Sequence, residues 1–218
     1  MAKLKTKWIC QNCGYETAKY LGKCPDCGQW NTLVEEVFES ISPSQAAKTV
    51  LNDTIPCLIN DIEIDRSIRF TTGIEEFDRV LGGGLVQGSI VLLAGDPGIG
   101  KSTILLQTGK AICKDGRTAL YVSAEESASQ VKLRAQRLGV QSNSLYIYSQ
   151  TNFEAIKRQI DEIKPQILII DSIQAVYTDS VTSSPGSVSQ IRECTNILMD
   201  IAKNKNITVV IIGHVTKE

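Results

Sequence analysis

The sequence lacks long apolar runs, a strong excess of either charge, and all but one histidine. No apolar run approaches the roughly 20 residues that a membrane-spanning helix needs. The N-terminal residues, Met1–Lys5, contain lysines without an apolar segment behind them, which does not suit a secretory signal. A formal net charge of −1 gives the whole chain no general attraction to polyanions. We therefore expect a cytoplasmic protein with no membrane partner.

Cysteine is frequent, but its distribution does not suit a disulfide framework. The chain has seven cysteines, an odd number, and four of them lie between residues 10 and 27. These four form two Cys-x-x-Cys pairs, and a glycine follows each pair. Two such pairs supply four thiolates to one tetrahedral zinc ion, whereas redox thiols or small buried residues are the alternative. The predicted zinc ligands are Cys10, Cys13, Cys24 and Cys27.

Aromatic and basic residues accompany these cysteines. We expect Trp8, Tyr15, Tyr20 and Trp30 to pack around the metal loops, and stacking on nucleobases is the alternative. The first 30 residues contain five lysines and two acidic residues. Such a local patch can bind a phosphate backbone, although a solvated charged surface is an equally good explanation.

The pattern of the whole chain predicts three zones. Residues 1–33 form a four-cysteine zinc finger, residues 34–66 a linker interrupted by serine, asparagine and proline, and residues 67–218 an α/β core. In the core, β-branched apolar runs alternate with amphipathic stretches, which predicts a mostly parallel sheet with flanking helices. The predicted strands, each expected to be buried on both faces, are 90–94, 119–123, 145–148, 167–170 and 207–212. The predicted helices are 102–113, 127–138, 153–164 and 187–205.

One loop of the core indicates a nucleoside triphosphate site. Gly95–Ser102 has the pattern G-x-x-x-x-G-K-S and stands between a predicted strand and a predicted helix. Its glycines allow backbone N–H groups to point at phosphate oxygens, and the helix adds its positive end. We expect Lys101 to contact the β- and γ-phosphates and the Ser102 hydroxyl to bind Mg²⁺.

Polar residues after three other predicted strands extend this site. Asp171 follows four aliphatic residues and is expected to hold the Mg²⁺ shell, unless it is only a turn or cap residue. Glu125 and Glu126 follow another strand, and either one could be the base that orients water, or both could be acids of a helix N-terminus. His214, the lone histidine, follows the last strand and could sense the γ-phosphate, although a structural role is more common.

Together these motifs resemble the RecA superfamily of motor ATPases, and within it the bacterial DNA-repair members. The resemblance is carried by the cysteine module, residues 77–85 (FDRVLGGGL), the phosphate loop, and residues 121–127, 184–193 and 213–218. It implies a RecA-like P-loop core and an ATP-dependent DNA motor, a helicase that processes branched recombination intermediates. It also implies ATP, Mg²⁺ and Zn²⁺ as cofactors. The implied partners are single-stranded and branched DNA, the RecA recombinase, and further copies of the chain in a homo-hexamer.

The resemblance also assigns roles to individual residues. It favours Glu125 over Glu126 as the base, makes Lys101 and His214 catalytic, and places residues 177–190 in a loop that faces DNA. The residues implied to bind the nucleotide and its metal are Gly95, Asp96, Pro97, Gly98, Ile99, Gly100, Lys101, Ser102, Thr103 and Asp171.

The family pattern continues past residue 218 with a second DNA-facing loop, a Lys-Asn-Arg-Phe-Gly motif that acts at the neighbouring site, and a Lon-protease-like domain. We therefore expect a C-terminally truncated core that binds ATP but hydrolyses it inefficiently. The alternative function is a non-motor regulatory switch like the circadian KaiC group, in which the Gly-rich lead-in and the paired glutamates also occur.

Overall fold

The computed structural model describes residues 4–39, 58–61, 69–114 and 116–214. The chain separates into two compact units, one of residues 1–67 with 180–183 and one of residues 68–179 with 184–218. Within the described ranges, no helix is both long and apolar enough to cross a membrane. Most of the predicted linker, 34–66, lies outside the described residues.

The smaller unit contains a three-stranded antiparallel sheet. Its strands are β1 (Leu4–Cys10), β2 (Glu16–Thr17) and β3 (Leu33–Glu39), in the order β2-β1-β3. Cys10, at the end of β1, pairs with Leu33 at the start of β3. The third strand thus continues into residues that the sequence pattern assigns to the linker.

The larger unit is an α/β layer structure, as predicted. Its strands are β4 (Arg69–Phe70), β5 (Leu85–Val86), β6 (Ile90–Gly95), β7 (Ala119–Ser123), β8 (Leu145–Ser149), β9 (Ile167–Asp171) and β10 (Thr208–His214). Its helices are α1 (Glu75–Val80), α2 (Lys101–Cys113), α3 (Ala128–Arg137), α4 (Phe153–Ile163) and α5 (Val188–Lys205). The main sheet of this described part has five parallel strands in the order β6-β10-β9-β7-β8.

Alternate side chains of the central strands enter two separate apolar layers. Leu120, Leu168 and Val209 pack with residues of α4 and α5 on one face of the sheet. Tyr121 and Ile169 belong to the layer on the other face, which includes residues of α2 and α3. Successive side chains of a strand point to opposite faces, so a strand covered by helices on both sides must be apolar throughout. This confirms the predicted α/β class with flanking helices.

The prediction that every strand is buried on both faces is correct for β7, β9 and β10 and wrong for β6 and β8. Burial alternates along β6, where Leu92 is 64% exposed, and β8 is only partly buried. These two strands lie at the edges of the five-stranded sheet. Their apolar runs resemble those of the central strands, and only the order of the described strands shows that each has a described neighbour on one side alone.

Side-chain caps explain why two predicted helices began one residue early. Ser127 and Ser187 are the N-cap residues of α3 and α5, and each hydroxyl oxygen accepts a hydrogen bond from a backbone N–H three residues later. An N-cap residue has non-helical dihedrals although it completes the first turn. The α2 helix differs, because its N-cap is Gly100, which has a left-handed φ of 99° and no side chain to occupy the helix end.

Candidate nucleotide and metal sites

The predicted nucleotide residues meet at one edge of the parallel sheet. In register, His214 at the end of β10 lies beside Gly95 at the end of β6. Ser123 at the end of β7 lies beside Asp171 at the end of β9. In open parallel sheets, ligands bind in the crevice outside the carboxyl ends of the strands. The strand order therefore gathers residues far apart in the chain around the start of α2.

The phosphate loop passes from β6 into α2 and encloses its lysine. Lys101 is only 5% exposed, and its Nζ donates hydrogen bonds of 2.8 Å to the carbonyl oxygens of Gly95 and Asp96. The ammonium group is thus held inside the curve of the loop. Because Gly100 caps α2 without a side chain, the first backbone N–H groups of the helix are directed to the same space. Together these groups form a cradle for an anion.

Asp171 occupies the predicted position at the end of β9, where it is 7% exposed. One of its carboxylate oxygens, Oδ2, accepts a short hydrogen bond from the hydroxyl of Tyr121 in β7. Burial raises the pKa of Tyr121 far above its ordinary value, and the Asp171 carboxylate raises it further, while Arg134 and the Ser102 hydroxyl lower it. The phenol therefore stays protonated and donates to Asp171 at any ordinary pH.

Sequence reasoning did not find Tyr121. It stands in a buried strand among apolar residues, where an aromatic side chain is normally taken as core. The one feature of the sequence that could have indicated its role is the hydroxyl group, because a buried phenol requires a hydrogen-bond partner.

The two adjacent glutamates have separate partners. The Oε1 of Glu125 accepts a short hydrogen bond from the Ser172 hydroxyl and lies 3.2 Å from Nε2 of His214. The carboxylate of Glu126 instead pairs with the guanidinium of Arg134 in α3. The structure therefore directs Glu125 toward the ends of β9 and β10, and directs Glu126 toward the helix.

His214 is the last described residue of β10 and joins two parts of the site. Its backbone oxygen accepts a 3.2 Å hydrogen bond from Nε2 of Gln174, which lies in the single helical turn after β9. Its Nδ1 is buried without a hydrogen-bond partner among the described residues. The imidazole thus contacts Glu125 through Nε2, and Gln174 fixes the backbone that carries it.

The segment predicted to face DNA, residues 177–190, is closed at its base. Gln190 is 1% exposed, and its Oε1 accepts a 3.0 Å hydrogen bond from the backbone N–H of Thr178. Its Nε2 donates a 3.2 Å hydrogen bond to the Thr178 carbonyl oxygen. The buried Gln190 side chain therefore joins the start of the segment to its end.

The four predicted zinc ligands come together in the smaller unit. The four sulfur atoms all lie within 4.8 Å of one another. The Sγ atoms of Cys10 and Cys27, and those of Cys13 and Cys24, are each 3.6 Å apart. Tetrahedral zinc with bonds of about 2.3 Å to sulfur has sulfur–sulfur edges of about 3.8 Å. The donor set and its spacing thus fit one tetrahedral zinc ion.

The local backbone and a threonine support this cluster. Gly14 and Gly28 donate hydrogen bonds of 2.8 and 2.9 Å to the carbonyl oxygens of Cys10 and Cys24, which closes each cysteine loop. The Sγ of Cys10 lies 3.2 Å from Oγ1 of Thr32. Burial raises the pKa of Cys10, but Thr32 and backbone N–H groups lower it to about 6. Burial and the other three cysteines raise the pKa of Cys13 to about 12.

The expectation that the four aromatic residues pack around the metal loops is only partly correct. Trp8 packs against the cysteine core, and its ring meets that of Tyr20 edge-on at a centroid distance of 4.9 Å. Trp30, however, is 67% exposed and Tyr20 is 51% exposed. The Nζ of Lys23 lies 5.7 Å from the centroid of the Trp30 ring. Trp8 therefore lies against the cysteine cluster, whereas Trp30 remains at the surface.

Comparison with known proteins adds to this geometry. A family model described as an AAA domain matches residues 61–218, and one described as a rubredoxin metal binding domain matches residues 8–35. A relative from Bacillus subtilis (strain 168), named DNA repair protein RadA, is 51% identical over 221 residues, covering 100% of this chain and 48% of the relative.

A protein of the same name from Listeria monocytogenes is 50% identical, again over 100% of this chain and 48% of its own length. A third, from Chlamydia muridarum, is 50% identical over 99% of this chain and 47% of its own length. The chain thus spans about half the length of the curated relatives that it matches.

Proposed function

We propose that this chain, which belongs to the AAA domain family, binds Mg²⁺ and ATP at Gly95–Ser102 and hydrolyses ATP as part of a DNA repair protein. One observation supports the proposal above all. Glu125, Ser172 and His214 form a polar cluster at the same sheet edge as the phosphate loop. A binding loop alone requires no such cluster, whereas hydrolysis requires a carboxylate that can accept a proton from water.

The phosphate loop positions the triphosphate in this proposal. When the nucleotide binds, Lys101 would give up its hydrogen bonds to the loop carbonyl oxygens and contact the β- and γ-phosphate oxygens instead. The backbone N–H groups at the start of α2 would donate to the phosphates as well. The Ser102 hydroxyl and the Asp171 carboxylate hold Mg²⁺, which when bound neutralises the charge that develops on the phosphate oxygens. Ser102 is the second residue of α2, and Asp171 is the last residue of β9.

Glu125 is the proposed general base. Ser172 and His214 both contact its Oε1, so the carboxylate has a fixed orientation and Oε2 is the oxygen that takes the proton from water. Glu126 is unsuited to the role because Arg134 neutralises its charge and holds its carboxylate against α3. His214, which lies beside Gly95 and contacts Glu125, is placed to report the presence of the γ-phosphate to the base.

DNA as a proposed partner follows from the relatives' printed name, and the more specific partners come from the family resemblance of the motifs. We extend the proposal to single-stranded and branched DNA as the bound substrate, with residues 177–190 as the loop that meets it. The RecA recombinase and a homo-hexameric ring are included in the same proposal. The hydrogen bonds of Gln190 to Thr178 support the loop assignment, because they hold the two ends of this segment together.

ATP turnover with and without single-stranded DNA tests this function. We expect Mg²⁺-dependent phosphate release that single-stranded DNA increases, and DNA binding that weakens steeply with salt, because phosphate contacts release counterions. If single-stranded DNA does not change the rate of ATP turnover and no salt-dependent DNA binding is found, the proposed motor function is contradicted. That result would favour a KaiC-like switch. Absence of both turnover and ATP binding would contradict the ATPase itself.

A further inference from the structure

The hydroxyl of Tyr121 has an unusual location for a core residue. The side chain is fully buried in β7, and its apolar layer includes Ile169 of the neighbouring strand β9 and Val210 of β10. A phenylalanine would fill the same apolar space without a polar atom that needs a partner. The hydroxyl therefore suggests a role beyond packing.

The partner of that hydroxyl is a residue of the proposed magnesium site. Tyr121 donates to Oδ2 of Asp171, so this oxygen is already engaged within the protein. The register pairs β7 with β9 along their whole length, which keeps the phenol and the carboxylate on adjacent strands. Tyr121 thus holds one carboxylate oxygen of a residue that is proposed to hold Mg²⁺.

We propose that Tyr121 is a positioning residue of the magnesium site: it holds Oδ2 of Asp171 and leaves Oδ1 as the oxygen that would bind the ion. This inference rests on the proposed function. In this proposal the phenol acts through the Asp171 carboxylate, to which it donates its hydrogen bond, and is not itself a ligand of the ion. Groups that orient a metal-binding carboxylate in this way commonly contribute about 10- to 100-fold to metal affinity.

The test replaces Tyr121 with phenylalanine, which keeps the ring and removes the hydroxyl. The probe is Mn²⁺, titrated in the presence of saturating ADP and followed by electron paramagnetic resonance. We expect Tyr121→Phe to weaken Mn²⁺ binding by about 10-fold or more. The affinity for ADP measured in EDTA, without metal, is expected to stay unchanged, because Lys101 and the start of α2 are untouched. A purely structural tyrosine would not produce this difference between the two affinities.

Tyr146→Phe provides the matched control, since Tyr146 is 48% exposed on the edge strand β8. It should leave both affinities unchanged. Equal Mn²⁺ affinity in Tyr121→Phe and the unchanged protein would overturn the inference, even if thermal stability falls. If the unchanged protein binds ADP but not Mn²⁺, the proposed magnesium site fails, and if it binds neither, the proposed nucleotide site fails. Should Tyr121→Phe not fold, Asp171→Asn tests the same carboxylate, and undiminished Mn²⁺ binding by that variant would also overturn the inference.

Discussion

Glu125→Gln is expected to slow single-turnover ATP hydrolysis by about 10²–10⁴-fold, the usual contribution of a general base. The amide has nearly the same shape, and it can still accept a hydrogen bond from Ser172, but it cannot take a proton from water. ATP affinity should change little, because Glu125 is not part of the phosphate loop. Rapid-quench measurement of phosphate release, paired with a binding titration, separates the two effects.

Glu126→Gln is the matched control at the neighbouring position. It removes one charge of the pair with Arg134, whose members are both partly exposed, so we expect at most a small loss of stability. Hydrolysis should stay close to that of the unchanged chain. If Glu126→Gln abolished turnover and Glu125→Gln did not, the assignment of the base would be wrong and the Arg134 pair would need another explanation.

Loss of the metal is the second large effect, and Cys24→Ser is expected to produce it. Cys24 is 1% exposed and forms the centre of the small unit with Cys10 and Leu33. So few apolar residues cannot stabilise the fold alone, and metal binding is expected to supply the folding free energy. Elemental analysis should find about one zinc per unchanged chain and far less in the variant. The same analysis distinguishes zinc from iron, which rubredoxin-type cysteine sets also accept.

Trp30→Ala is the control for that experiment. The side chain is 67% exposed and stands beside the cysteine loops without being a ligand. Zinc content should therefore stay at the level of the unchanged chain. A Cys24→Ser protein that kept stoichiometric metal, or a Trp30→Ala protein that lost it, would contradict the four-cysteine site.

The sequence could predict the elements of the core because their periodicities are long and clear. The run before Asp171 and the run after Asn206 are buried as expected, and the predicted helix 153–164 matches α4 to one residue. Edge strands were not predictable, since the exposure of Leu92 follows from the strand order and not from its own run. The family resemblance to bacterial DNA repair proteins is confirmed, whereas the zone boundaries and the roles of individual site residues stay predictions.

The hydrogen-bond and ion-pair partners of individual side chains depend on three-dimensional geometry that the sequence pattern does not contain. Glu125 and Glu126 are adjacent in sequence, but their side chains have different partners. Glu125 accepts a hydrogen bond from Ser172, which follows β9, and Glu126 pairs with Arg134 in α3. The same limitation applies to Tyr121, whose partner is 50 residues away in the chain. Thr32 was likewise missed, since its contact with Cys10 depends on the return of β3 beside β1.

The binding of ATPγS and Mg²⁺ to the unchanged chain and to Lys101→Ala, measured by calorimetry, tests the central claim most directly. Lys101 is buried inside the phosphate loop, and it is the only basic residue in Gly95–Ser102. No other side chain of the loop can therefore replace its positive charge. We predict one saturable site per chain and a loss of about 10-fold or more in affinity for Lys101→Ala, as expected for a charged hydrogen bond. Equal binding by both proteins, or no saturable binding by the unchanged chain, would contradict the claim that this loop holds the triphosphate.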